Sequence, residues 1–74
     1  MPKLPRISGQ KAVRIFEQLG FHQTRQRGSH VVMRRDDRGC VLPLHRELAI
    51  GTLRSALRQA GVSADEFVAT YKTV

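Results

Sequence analysis

The chain has a single cysteine, only six acidic residues and no long apolar run. One cysteine excludes an internal disulfide and suits a reducing compartment. A membrane-crossing helix needs about 20 consecutive apolar residues, and no stretch approaches that length. The first residues are too poor in apolar side chains for a secretory leader, so a soluble, cytoplasmic protein with no membrane partner is expected. Several chemical fingerprints are missing as well. There is no phosphate-cradling Walker loop, no dinucleotide motif and no close cysteine pair, and neither a cofactor nor a metal is expected. His22, His30, Cys40 and His45 are spaced by eight, ten and five positions, which matches no zinc pattern. The neighbouring carboxylates Asp36 and Asp37 precede Arg38 and Gly39, a setting in which Asp serves a tight turn rather than a metal. Cys40 reads as a small apolar strand residue.

What the chain does have is positive charge. Thirteen Lys and Arg against six acids give a formal charge of +7 and a pI near 11.2, which favours a polyanionic partner. The charge is concentrated. Residues 1 to 58 hold twelve of the cations and four of the acids, whereas the last sixteen residues carry a net −1. A nucleic-acid face therefore belongs to the first three quarters of the chain, against the alternative of a merely solvated basic surface. At 74 residues the chain reads as one domain that buries about 60% of its unfolded surface, so any active site must lie at the surface.

The hydrophobic pattern changes period along the chain. Residues 1–7, with two prolines, read as a lead-in. Ser8 is a candidate N-cap, and Ala12, Ile15, Phe16 and Leu19 then recur at helical spacing until Gly20. From Phe21 the period becomes two, predicting strands over 21–25, 29–35 and 40–44, with turns at Gln26-Arg27-Gly28 and Asp36-Asp37-Arg38-Gly39. Each turn offers a glycine for positive φ. In the second strand Val31 and Met33 share one face, and His30, Val32 and Arg34 the other. Pro43 cannot donate to a ladder, which makes the third strand the outer one of a meander. Ile50, Leu53, Ala56, Leu57 and Ala60 predict a second helix closed by Gly61. Ser63-Ala64-Asp65-Glu66 is a capping box flanked by Val62 and Phe67, and it predicts a short C-terminal helix. The expected fold class is α+β: helix, three-stranded antiparallel meander, helix, short helix.

His30 is the leading chemical candidate. Cleaving RNA without a metal requires a general base, a general acid and positive charge around the phosphorane-like transition state, and imidazole titrates in the useful range. Gly28 and Ser29 offer backbone N–H groups and a hydroxyl, while Arg27, Arg34 and Arg35 flank the histidine with cations. The residues alone leave open that His30 merely begins a strand. His45, followed by Arg46, either lines the same rim or is an ordinary loop histidine, and Lys11 and Arg14 fall off the buried stripe of the first helix. His22 reads as an exposed strand residue.

Gly28-Ser29-His30, the strand Val31 to Arg34, the segment Val41-Leu42-Pro43-Leu44-His45 and the stretch from Gly51 to Gly61 together resemble the HicA (YcfA-like) toxin family. The resemblance runs from the Ser8 helix to Phe67. It implies a compact fold related to the double-stranded-RNA-binding domain, spanning residues 1–74 as one toxin domain. It further implies an mRNA-cutting toxin silenced by a HicB-like antitoxin, with His30 as the catalytic histidine. The RNA contacts then fall to Lys11, Arg27, Gly28, Ser29, Arg34, Arg35, His45 and Arg46. The family's Pro-x-His segment corresponds to Pro43-Leu44-His45 without an equally clear role. The acidic Asp36-Asp37 turn is a departure that makes this loop less basic. The competing reading is a non-catalytic module that binds double-stranded RNA over a broad face and has no need of an imidazole beside a glycine turn.

Overall fold

The computed structural model describes residues 3–74. Its elements run in the order α1 (Gly9–Gln18), β1 (His22–Arg27), β2 (His30–Arg35), β3 (Arg38–Pro43), α2 (Ile50–Ala60) and α3 (Ala64–Tyr71). This is a small α+β fold with an antiparallel sheet in the order β1-β2-β3, so β3 is outermost as its proline requires.

Local signals set the helix ends. The Ser8 side chain accepts from the Lys11 backbone N–H at 3.1 Å, satisfying one of the donors a helix start leaves free. Ser63 does the same for Glu66 at 3.1 Å. Gly61 closes α2 in the left-handed region at φ 73°. α2 has no side-chain cap at Ala49, and the preceding Leu48 is instead buried in the core with its N–H on the Ile7 carbonyl at 2.7 Å.

The core lies between the helices and one sheet face. Val31, Met33, Cys40 and Leu42 supply that face, and Ile15, Phe16, Leu53, Leu57 and Phe67 cover it. The Phe16 ring meets Phe21 edge-on at 5.1 Å and Phe67 at 5.8 Å, tying α1 to the start of the sheet and to α3.

Two local expectations are corrected. The strands are shifted: β1 runs on to Arg27, and β3 begins at Arg38 and stops at Pro43. Each hairpin turn is accordingly two residues, Gly28-Ser29 and Asp36-Asp37. The second turn takes its positive φ from Asp36 (φ 55°), not from Gly39, because Asp tolerates the left-handed region better than most side chains. Gly39 has another use. A Cβ there would meet the Met33 carbonyl at 2.8 Å and the Arg34 side chain at 3.2 Å, so its bareness lets Arg34 lie across β3. The lead-in is fastened to the domain: Ile7 is buried and Arg6 pairs with Glu47 at 3.3 Å, while residues 1 and 2 lie outside the described residues.

Candidate active site

β1 contains no apolar residue and every one of its positions is exposed. Its orientation is therefore set by pairing with β2 rather than by burial. His22 faces Arg34 and Gln23 faces Met33, but the next pair is Arg25 with Val32, leaving Thr24 as the extra residue of a bulge. One inserted residue inverts the alternation beyond it. Without the bulge Arg25 and Arg27 would share the core side with Gln23; with it, both stand on the outer face, and Gln26, opposite buried Val31, turns inward.

The outer face is thus organised in three cross-strand rows. Arg27, His30 and Pro43 form the first, Arg25, Val32 and Val41 the second, and His22, Arg34 and Gly39 the third. Directly opposed side chains in an antiparallel sheet are close neighbours, so Arg27 brings its charge to the imidazole. His30, Arg25, Arg27 and Arg34 are all exposed. The one ion pair among the described residues is Arg6–Glu47, so none of these arginines is neutralised by a carboxylate within 4 Å.

The turn beside the row leaves an approach for an anion. Gly28 has φ 55°, and a Cβ added there would meet nothing within 4 Å, so the backbone at the tip is open. The turn is braced from both sides. The Ser29 carbonyl accepts from Leu44 N–H at 2.6 Å, and the Gln26 amide donates to the Gly28 carbonyl at 3.0 Å. His45 follows Leu44 with an exposed side chain, and its carbonyl takes the Gly9 N–H at 2.9 Å, fixing this segment to the start of α1. His30, Gly28, Ser29, Arg27 and His45 therefore gather at one end of the sheet, with Arg46 exposed just beyond.

Other candidates lie elsewhere. Arg35 is on the core side of β2, half-buried, with its guanidinium donating to the Leu19 carbonyl at 2.6 Å and stacked 4.5 Å from the Phe21 ring centre. Its head group serves the fold, clamping the end of α1. Lys11 is engaged by the C-terminal segment, where its ammonium donates to the Val74 carbonyl at 3.3 Å and lies 5.9 Å from the Tyr71 ring. Cys40 is buried among core side chains, and burial pushes its thiol up to about 11. Among the described residues no group of three or more His, Cys, Asp or Glu is placed to hold a metal ion.

Arg25 is absent from the residues singled out by sequence because β1 has no apolar position to mark which of its sides faces outward. Two grooves are likewise invisible before folding. One, of about 420 Å³, lies between α1 and the inward glutamines of β1, and the other, of about 450 Å³, lies between Val41 and α2.

Residues 9–62, well over half the chain, match the family model described as the HicA toxin of bacterial toxin-antitoxin. The chain belongs to the HicA toxin family. Membership makes it the toxin of a toxin–antitoxin system and implies an antitoxin partner. The match begins at the first residue of α1 and ends just past Gly61, so the rows around His30 fall inside it, whereas α3 lies beyond. No curated protein matches the chain. No helix among the described residues of this HicA-family chain is long and apolar enough to cross a membrane.

Proposed function

We propose that this HicA-family toxin is a metal-independent endoribonuclease that cuts mRNA, with His30 as its proton-transferring group. The reading extends to one toxin domain over residues 1–74, acting in the cytoplasm and silenced by a HicB-like antitoxin. The observation that carries it is the pairing of Arg27 with His30 beside the open Gly28 turn. In the reaction, the ribose 2′-oxygen attacks the adjacent phosphorus while its proton passes to a base. The bond from phosphorus to the 5′-oxygen then breaks, and that oxygen takes a proton from an acid. His30 serves one of these transfers, and water, His45 or a cation serves the other. Arg27 and the Gly28 and Ser29 N–H groups stand where negative charge accumulates on the phosphorane oxygens.

Incubating end-labelled RNA with the purified chain in a chelator, followed by electrophoresis, tests the reading. The chain is expected to shorten the RNA, and His30→Ala to lose about 10²–10⁴-fold in rate while remaining folded, because the residue is exposed. Undiminished cleavage by a folded His30→Ala chain removes His30 from the chemistry. Duplex binding without any cleavage by the unmodified chain points instead to the double-stranded-RNA-binding reading.

A further inference from the structure

The outer sheet face does not end at the arginines. In its second row Val32 stands across from Val41, which is 43% exposed, unusual for a valine with helix α2 beside it. Next to Val41 runs the groove of about 450 Å³, whose remaining walls are Gly51, Thr52, Ser55, Ala56 and Gln59 of α2. Not one of these carries a charge, on a chain of formal charge +7. The groove offers an apolar floor, two hydroxyls and a primary amide, and Gly51 adds no side chain to its mouth, since a Cβ there would meet nothing within 4 Å.

A cationic row next to a neutral, apolar-floored recess has the chemistry of a nucleotide, with its charged phosphate and its flat uncharged base. The dimensions agree. Val41 lies one strand over and two residues along from His30, roughly 8 Å away between Cα atoms from standard sheet spacings. That is within the reach of a base from the phosphate of its own nucleotide.

We propose that the groove between β3 and α2 is a base-binding subsite, taking the base next to the scissile phosphate from an unpaired RNA strand. This rests on the reading of His30 as the cleavage site. The base lies against Val41 and is read on its edge by Thr52, Ser55 and Gln59, while Arg27 and Arg25 hold the strand's phosphates. A paired strand cannot supply it, because a base inside a duplex has its reading edge engaged and its faces stacked. The subsite therefore gives the toxin preferences for unpaired RNA and for base identity.

The test measures binding rather than cleavage, so it stands apart from the catalytic assignment. Fluorescence anisotropy would follow the His30→Ala chain with four labelled single-stranded oligonucleotides, each of one base, and with a blunt duplex of equal length. The expected result is a spread of roughly tenfold or more among the four bases, with the duplex weaker than the best of them. Adding Thr52→Ala and Gln59→Ala, both at exposed positions, is expected to collapse the spread to about twofold, whereas adding Arg27→Ala weakens all four alike. Equal binding of all four oligonucleotides overturns the proposal, as does duplex binding as tight as the best single strand, or a base preference that survives the groove substitutions. A groove-dependent preference in a chain that never cleaves RNA keeps the subsite and overturns the catalytic reading instead.

Discussion

Arg27 lies directly across the β1–β2 ladder from His30, closing a two-residue turn, and the bulge at Thr24 three residues earlier leaves Arg25 and Arg27 on the face opposite Gln23. The cation and the imidazole are separated along the chain by only the Gly28-Ser29 turn, so their juxtaposition is a property of one hairpin. The next residue along β2 on the core side that carries charge, Arg35, has a different neighbourhood and a different fate under substitution.

Arg27→Ala and Arg35→Ala are expected to separate binding from stability. Loss of Arg27, which is exposed, should lower RNA affinity and reduce the slope of log affinity against log salt by about one, at unchanged urea midpoint. Loss of Arg35 removes the bond to the Leu19 carbonyl and the contact with the Phe21 ring, at about 2 kcal/mol of stability, with the salt slope retained. Paired anisotropy and urea titrations check both.

Two glycines should respond oppositely to their surroundings. Gly28→Ala meets no atom and suffers only the strain of positive φ, about 1 kcal/mol. Gly9→Ala would drive its Cβ into the Pro43 carbonyl and Leu44 Cα where α1 starts, so it should destabilise by about 1–3 kcal/mol or more as α1 is forced off β3. Thermal unfolding of the two variants should show the larger loss for Gly9→Ala.

Cys40 should resist alkylation in the folded chain at pH 8 and react promptly in denaturant. Its thiol is raised from 9.0 to about 11 by burial, so the folded state holds its proton where the unfolded state releases it. The contribution to stability is complete below pH 9 and declines as the pH rises towards 11. Urea midpoints compared at pH 8 and pH 10.5, with Cys40→Ala as reference, read out that decline.

The antitoxin implied by family membership is expected to cover the basic outer face, since complementary charge speeds encounter and occlusion needs no conformational change. Hydrogen exchange with and without the partner should show protection within residues 27–35. Protection confined to residues 63–74 would mean silencing from a distance.

Much of this architecture is legible in the sequence because burial writes a period. Ala12, Ile15 and Phe16 announce α1, Val31 and Met33 announce the inner face of β2, and Ser63 with Glu66 marks the start of α3. His30 is legible through its Gly-Ser-His setting, and its outward orientation follows from the alternation with Val31. β1 is legible as a strand, but its register stays hidden. With six exposed positions, its register depends on hydrogen bonds to a strand that follows it, and the bulge at Thr24 decides which arginines share a face with His30. The start of β3 is hidden for a similar reason, because the Arg38-Gly39 pair reads as turn chemistry although both residues are in the ladder. The α2 groove depends on how a helix lies beside an edge strand, a relation no local pattern encodes.

A strand without a single buried side chain has little to lose by separating from its neighbour. Peeling β1 away exposes backbone groups that water can satisfy and withdraws no buried β1 side chain from the core, whereas pulling out β2 would uncover Val31 and Met33. Arg27 and His30, neighbours in the first row, thus belong to parts of unequal tenacity, with His30 seated on the firm strand and Arg27 on the yielding one. On the proposed function, an incoming RNA strand would meet a histidine carried by the firm strand and a cation carried by the yielding one.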